Sequence, residues 1–332
     1  MKRKPRILVV GSLVMDLIVS AAKFPNTGET VLGKNFQTAP GGKGANQAVQ
    51  AARLGADVTM VGKVGNDEFG KLLIQSCKES GIHTEFIATD TAASSAIGNV
   101  QLEEGQNETV NRIIVVPGAN VTITPQDIAF LENTIDQYDI VILQLEISME
   151  INRIIAEYAH TKGVPVMLNS APSAPLSGEL LSCLTYISPN EHEAADLTGI
   201  SIRRDGKKVN LEDVKASVCA LLAQGVKNVI ITLGNAGAVV ANQDDFIYAP
   251  CIDSVNATDP TAAGDSFVGA FSTAVCAGLN YRQALDFANY TATLTVSRMG
   301  AQPSLPRLED VVRFMKEQNY TGFDFTLLDG LK

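Results

Sequence analysis

The chain has 332 residues and 45 % hydrophobic content, enough to bury a core in one large α/β domain with a small appendage or in two modest domains. Its net charge of −10 argues against non-specific nucleic-acid binding, because a polyanion is repelled. No run approaches the roughly 20 apolar residues that span a bilayer. The basic start at Lys2-Arg3-Lys4 precedes an apolar stretch too short for a signal peptide. The scattered cysteines without a C-x-x-C pair read as buried reduced thiols of a cytoplasmic protein, and the histidines lack zinc spacing.

From the N-terminus, short β-branched runs alternate with longer amphipathic ones. Residues 7–10 read as a strand, 43–54 as a helix, 58–61 as a strand and 68–80 as a helix. The rhythm resumes with strands at 140–145, 164–168 and 229–233 and helices at 149–161, 190–197 and 211–223. The end of the chain is helical, at 262–278, 281–298 and 308–317, with 320–332 as a peripheral tail. This order predicts an α/β fold with a mostly parallel central sheet and helices on both faces.

Two segments break the rhythm. Residues 17–19 and 30–32 flank Pro25-Asn26-Thr27-Gly28, a strand–turn–strand pattern, and 97–102 with 109–115 flank a hairpin turn at 103–107. Together they predict a small β lid (14–39 and 96–117) set apart from the large α/β part (1–13, 40–95 and 118–332). The alternative is that they are ordinary edge strands of a single sheet.

Two stretches carry chemistry. In the first, Gly41-Gly42-Lys43-Gly44-Ala45-Asn46 opens an alanine-rich helix, so the backbone can approach a ligand while Lys43 and Asn46 project at the helix start. It is neither a Walker A loop nor a G-x-G-x-x-G fingerprint. In the second, Ala262-Ala263-Gly264-Asp265 leads into an apolar helix. Unpaired amides at a helix N-terminus stabilise a phosphate, and Asp265 is placed to take a proton from an attacking hydroxyl. The alternative for Asp265 is a plain helix N-cap. Asp16 and Glu146 each follow an apolar run, so their carboxylates emerge near a sheet end, where open α/β sheets bind ligands. A turn Asp and a solvated Glu are the alternatives.

These motifs, with Gln144-Leu145-Glu146 and Gly300-Ala301-Gln302-Pro303-Ser304, resemble the ribokinase-like family of carbohydrate and nucleoside kinases over nearly the whole chain. The resemblance implies transfer of the ATP γ-phosphate to a primary sugar hydroxyl, with D-ribose as the leading acceptor. It implies Mg²⁺ with ATP and K⁺ as an activator. By motif, Asp265 is the base and the amides of Ala262, Ala263, Gly264 and Asp265 form the anion hole. Asp16, Gly42, Lys43, Asn46 and Glu146 contact the sugar. The nucleotide meets Asn190, Glu193, Thr232, Gly234, Gly237, Gly264 and Asn289, the N-x-x-E pair being associated with Mg²⁺ and phosphate. Helix capping is the competing reading of Asn190. The potassium site draws on Asp259, Thr261, Thr295, Arg298, Gly300 and Ser304, mostly through carbonyls.

Three positions depart from the family pattern, one being Ala262, where many members have glycine. Pro260 replaces the usual threonine, and Val14 stands where asparagine usually contacts the sugar. Valine cannot hydrogen-bond a hydroxyl, so fructose, another pentose or adenosine remain alternative acceptors. A non-catalytic sugar-binding regulator is the alternative of another class. The apolar Ile113-Ile114-Val115-Val116 run predicts a homodimer through the lid.

Overall fold

The computed structural model describes residues 3–104 and 109–332, so the tip of the expected hairpin turn at 105–107 lies outside the described residues. In chain order the strands are β1 (Arg6–Val10), β2 (Val14–Ala21), β3 (Gly33–Gly41), β4 (Asp57–Gly65), β5 (His83–Asp90), β6 (Ala96–Glu104), β7 (Thr109–Val116) and β8 (Ile140–Gln144). They continue as β9 (Val166–Asn169), β10 (Tyr186–Ile187), β11 (Arg204–Asp205), β12 (Lys208–Val209), β13 (Asn228–Thr232), β14 (Ala238–Ala241) and β15 (Phe246–Ala249). The helices are α1 (Lys43–Arg53), α2 (Glu68–Glu79), α3 (Pro125–Ile128), α4 (Met149–Thr161) and α5 (Gly178–Cys183). The rest are α6 (Glu191–Thr198), α7 (Leu211–Ala223), α8 (Ala263–Cys276), α9 (Tyr281–Val296) and α10 (Leu308–Glu317).

A nine-stranded sheet in the order β15-β14-β13-β10-β9-β8-β1-β4-β5 forms the centre. It is parallel from β5 to β13, and β14 and β15 add an antiparallel edge. Strand side chains alternate between faces, so both faces of a central strand must be apolar. On β1, Ile7 and Val9 join the core under α1, α2, α8, α9 and α10, whereas Leu8 and Val10 join the core under α4 to α7. Helices on both faces follow from that alternation.

A separate four-stranded sheet has the order β3-β2-β6-β7. β2 pairs antiparallel with β3 and parallel with β6, and β7 is an outer strand paired antiparallel with β6. The strand expected at 30–32 is instead irregular chain. A turn closes there as the Glu29 amide donates to the Asn26 carbonyl at 2.9 Å, and the ladder resumes only at Gly33, opposite Ala21.

The tail is not peripheral. Phe323, Leu328 and Leu331 are buried in the same core as α1, α9 and α10, and the Tyr320 hydroxyl donates to Asp286 at 2.9 Å. Their apolar spacing matches a groove that only the assembled helices create. The cysteines are all unpaired, but only Cys77 is buried and Cys219 is exposed. Among the described residues, no helix is long and apolar enough to cross a membrane.

Candidate active site

Gly42 caps α1 with φ of 91°, and a Cβ there would lie 2.8 Å from the Val14 amide nitrogen. Only glycine meets both demands. The α1 N-terminus thus lies against the loop after β1, where its first amides find partners. The Lys43 amide donates to Glu146 Oε2 at 2.9 Å, the Gly44 amide to Ser12 Oγ at 3.1 Å and the Ala45 amide to the Ser12 carbonyl at 2.9 Å. Ser12 Oγ also donates to Glu146 Oε2, so that oxygen caps the helix from a distant strand end.

Asp16, on β2, is directly opposite Gly98 in the parallel β2–β6 register. Burial first, then the nearby Glu146 carboxylate, pushes its carboxyl up to about 6. Burial also opposes charge on Lys43. The carboxylates of Asp265, Glu146 and Glu193 outweigh that penalty and hold its ammonium above the ordinary range.

At the other wall, Ala262 precedes α8 with φ of 59° and ψ of 9°, the left-handed conformation that a side chain disfavours. A left-handed residue followed by helical ones turns successive amides toward one point, an anion-binding concavity. The Ala263 amide donates to the Pro260 carbonyl at 3.2 Å. Among the described residues, the amides of Ala262, Gly264 and Asp265 meet no acceptor. Three of the four expected donors are therefore free; the fourth is spent on the turn made by Pro260.

Asp265 is buried, and it is not an N-cap, because its oxygens face α1. Asn46 Nδ2 donates to Oδ2 at 2.9 Å and Gln47 Nε2 to Oδ1 at 3.0 Å. Gln47 also donates to Asn169 Oδ1 at 3.1 Å and accepts from Gln144 Nε2 at 2.8 Å. Sequence reasoning missed Gln47, Asn169 and Gln144. The available signal was a run of amide side chains, Asn46, Gln47 and Gln50, among the small apolar residues of α1.

These elements enclose a cleft of about 210 Å³ lined by Lys43, Asn190, Glu193, Thr232, Gly264 and Asp265 among others. Asn190 does cap α6: its Oδ1 accepts from the His192 and Glu193 amides at 2.8 and 2.9 Å, and Glu193 Oε2 accepts from the Asn190 amide at 2.9 Å. Capping and cleft lining coincide in this pair. Burial raises the Glu193 carboxyl, with partial relief from the Asn190 amide and Lys43. Gly234, Gly237 and Asn289 are outside the cleft wall. Gly237, with φ of 104°, packs where a Cβ would strike the Ala249 carbonyl, and Asn289 Nδ2 reaches the Ala249 and Pro250 carbonyls at 3.4 Å. Both shape the turn beside the cleft.

The residues expected around potassium join two loops. Asp259 accepts from the Thr261 amide through Oδ1 and from the Gly300 amide through Oδ2, both at 2.9 Å. Burial opposes the charge, but these donors hold the carboxyl below its usual range. Thr295 Oγ1 bonds Ser266 Oγ at 2.7 Å and Ser304 Oγ donates to the Ala301 carbonyl at 2.7 Å. Arg298 pairs with Asp310 at 3.3 Å. With these side chains engaged, a monovalent ion would be met by main-chain carbonyls, which Pro260 retains. Among the described residues, no group of three or more His, Cys, Asp or Glu could hold a metal ion.

Known proteins resemble this chain over nearly its whole length. The profile described as pfkB family carbohydrate kinase matches residues 4–308. The ribokinase of Bacillus subtilis is 39 % identical over 305 residues, covering 92 % of this chain and 97 % of that protein. The ribokinase of Schizosaccharomyces pombe is 39 % identical over 314 residues, covering 92 % and 96 %. The structure of Arabidopsis thaliana ribokinase complexed with ribose and ATP is similar with a TM-score of 0.85 and 33 % identity, covering 95 % of this chain and 99 % of that one. By that match over nearly its whole length, the chain belongs to the pfkB family of carbohydrate kinases, phosphotransferases with an alcohol acceptor.

Proposed function

We propose that this protein transfers the γ-phosphoryl group of ATP to the primary hydroxyl of D-ribose, giving ribose 5-phosphate and ADP. The observation that carries the reading is Asp265, a cleft carboxylate beside unpaired α8 amides and bonded through Asn46 to the helix that bears Lys43. Relatives named as ribokinases, one of them complexed with ribose and ATP, support the choice of acceptor and donor.

Ribose meets Asp16, Gly42, Lys43, Asn46 and Glu146. Asn46 Oδ1 is buried without a partner, which suits it to accept from a sugar hydroxyl. Asp265 takes the proton of the attacking hydroxyl as the new O–P bond forms and the bond to the ADP oxygen breaks. The amides of Ala262, Gly264 and Asp265 receive the charge spread over the transferring group, one such donor contributing about 3–4 kcal/mol in comparable anion holes. Lys43 adds a positive charge from the α1 wall.

ATP lies along Asn190, Glu193, Thr232 and Gly264, with Gly234, Gly237 and Asn289 shaping its turn. A divalent ion such as Mg²⁺ accompanies the nucleotide and supplies charge neutralisation at the phosphates. Of the two carboxylates lining the cleft, Asp265 being the base, Glu193 is the residue that would hold such an ion beside the phosphates. An activating potassium ion would be held by Asp259, Thr261, Thr295, Arg298, Gly300 and Ser304, at the end of α9 and the two loops beside it, mostly through carbonyls. The sheet of residues 14–39 and 96–117 serves as a lid on the large part (1–13, 40–95 and 118–332). Ile113, Ile114, Val115 and Val116 on the outer strand β7 are exposed, which supports a homodimer through that lid. The unpaired cysteines support a cytoplasmic setting.

The test is kcat/KM for ribose, fructose and adenosine with MgATP, with and without K⁺. Ribose is expected to lead and to be activated by K⁺. A higher kcat/KM for fructose or adenosine would overturn the acceptor, and no turnover with any of them would overturn the kinase reading. A monomer mass in light scattering would remove the dimer.

A further inference from the structure

We propose that Gln47 is a positioning residue for Asp265, one that aims the carboxylate through a buried row of amides reaching the ends of β8 and β9. This rests on Asp265 acting as the base. A carboxylate on a single Cβ has two soft torsions, and a base misaimed by a fraction of an ångström loses the attacking proton. Asn46 holds Oδ2 at 2.9 Å, but Asn46 also faces the sugar and is subject to its arrival. Gln47 holds Oδ1 at 3.0 Å and is fully buried.

What distinguishes Gln47 is that its own amide has no freedom. Its Nε2 is shared between Asp265 and Asn169 Oδ1, and its Oε1 accepts from Gln144 Nε2. Asn169 is held in turn, donating to the Ser188 carbonyl at 2.9 Å. Gln144 ends β8 and Asn169 ends β9, adjacent parallel strands, so the carboxylate is referenced to the central sheet and not to a mobile loop. Each member fixes the orientation of the next, because a flipped Gln47 amide would present its oxygen to both carboxylate and Asn169 oxygen.

Gln47→Met keeps the length and removes both donors; Gln47→Glu keeps the shape and sets a like charge beside Asp265. The charged groups facing Asp265 are Lys43 on α1 and Glu193 on α6, and both stay unchanged. In Gln47→Met, kcat is expected to fall about tenfold to hundredfold while KM for ribose and ATP moves less than about twofold. In Gln47→Glu kcat should fall further, with KM again little moved.

Melting curves identify which variant is folded, and the folded one is scored. A kcat within about twofold of wild type, or a KM that rises as much as kcat falls, would overturn the proposal. Asp265→Asn separates the two readings: if it turns over normally, the base assignment fails. If it collapses while the folded Gln47 variant keeps the wild-type kcat, only the role of Gln47 fails.

Discussion

Asp16 and Gly98 face one another across the parallel β2–β6 pair, and a methyl group at Gly98 would come within 2.4 Å of Asp16 Oδ1. Gly41 leaves the same room on the other side, where a Cβ would sit 2.8 Å from Oδ2. The carboxylate therefore occupies a slot made of missing side chains. Gly98→Ala should turn Asp16 away and raise KM for ribose about tenfold to hundredfold, the worth of a hydrogen bond to a charged group, with kcat little changed. Steady-state kinetics over a wide ribose range checks it, and an unaltered KM would reject the slot.

Asp16 also sets a pH dependence. Its carboxyl is near 6 in the folded chain against an ordinary 3.8, so the native state binds the proton more tightly than the unfolded state does. The stability it confers is present at low pH and is lost as pH rises from 3.8 through about 6. Asp16→Asn should consequently raise Tm at pH 7.5 while weakening ribose binding, a trade between stability and function. In the wild type, KM for ribose should fall as pH rises through about 6, when the acceptor becomes ionised. A Tm lowered by Asp16→Asn would contradict this.

Asp265→Asn keeps the shape of the side chain and removes the base. Turnover should drop by about 10²–10⁴-fold, the usual contribution of a general base, with ribose and ATP affinity largely retained. Calorimetric binding beside initial rates checks both halves. Near-normal turnover would remove Asp265 from the chemistry.

Val14 and Asp16 share one face of β2, and Val14 Cγ1 would lie 3.9 Å from a methyl placed at Gly98, the same methyl that would strike Asp16. One wall of the sugar slot is thus apolar where a hydroxyl partner is expected. Val14→Asn should raise kcat/KM for ribose relative to 2-deoxyribose, by about tenfold for one restored hydrogen bond. An unchanged ratio would show that Val14 does not face the 2-hydroxyl.

Leu328 is fully buried beneath the C-terminal segment, and Leu331 packs where Gly55 leaves room beyond α1. Leu328→Ala should cost about 2–5 kcal/mol of stability, as for other buried leucines. Ribose kinetics well below Tm should be unchanged. Denaturant melts test the first statement, and a cost under about 0.5 kcal/mol would return the segment to the surface.

Much of the fold is legible in the chain. The alternation of strand and helix reflects periods of 2 and 3.6 that each residue expresses locally, so the parallel sheet and the helices α1, α8 and α9 lie close to their expected ranges. The hairpin joining β6 and β7 was likewise visible, whereas residues 30–32 misled because an apolar triplet carries no information about the turn that precedes it.

What the chain determined by itself is the local chemistry: a glycine-led α1, a small-residue entry into α8, and an acid in its first turn. What only the tertiary structure decided is partnership. Gln47 meets Asn169 and Asp265 across separations of 122 and 218 residues, and Asp16 meets Gly98 through strand register. Periodicity states which face of an element is buried. It is silent on which distant element covers that face, because the answer depends on crossovers and register summed over the whole sheet.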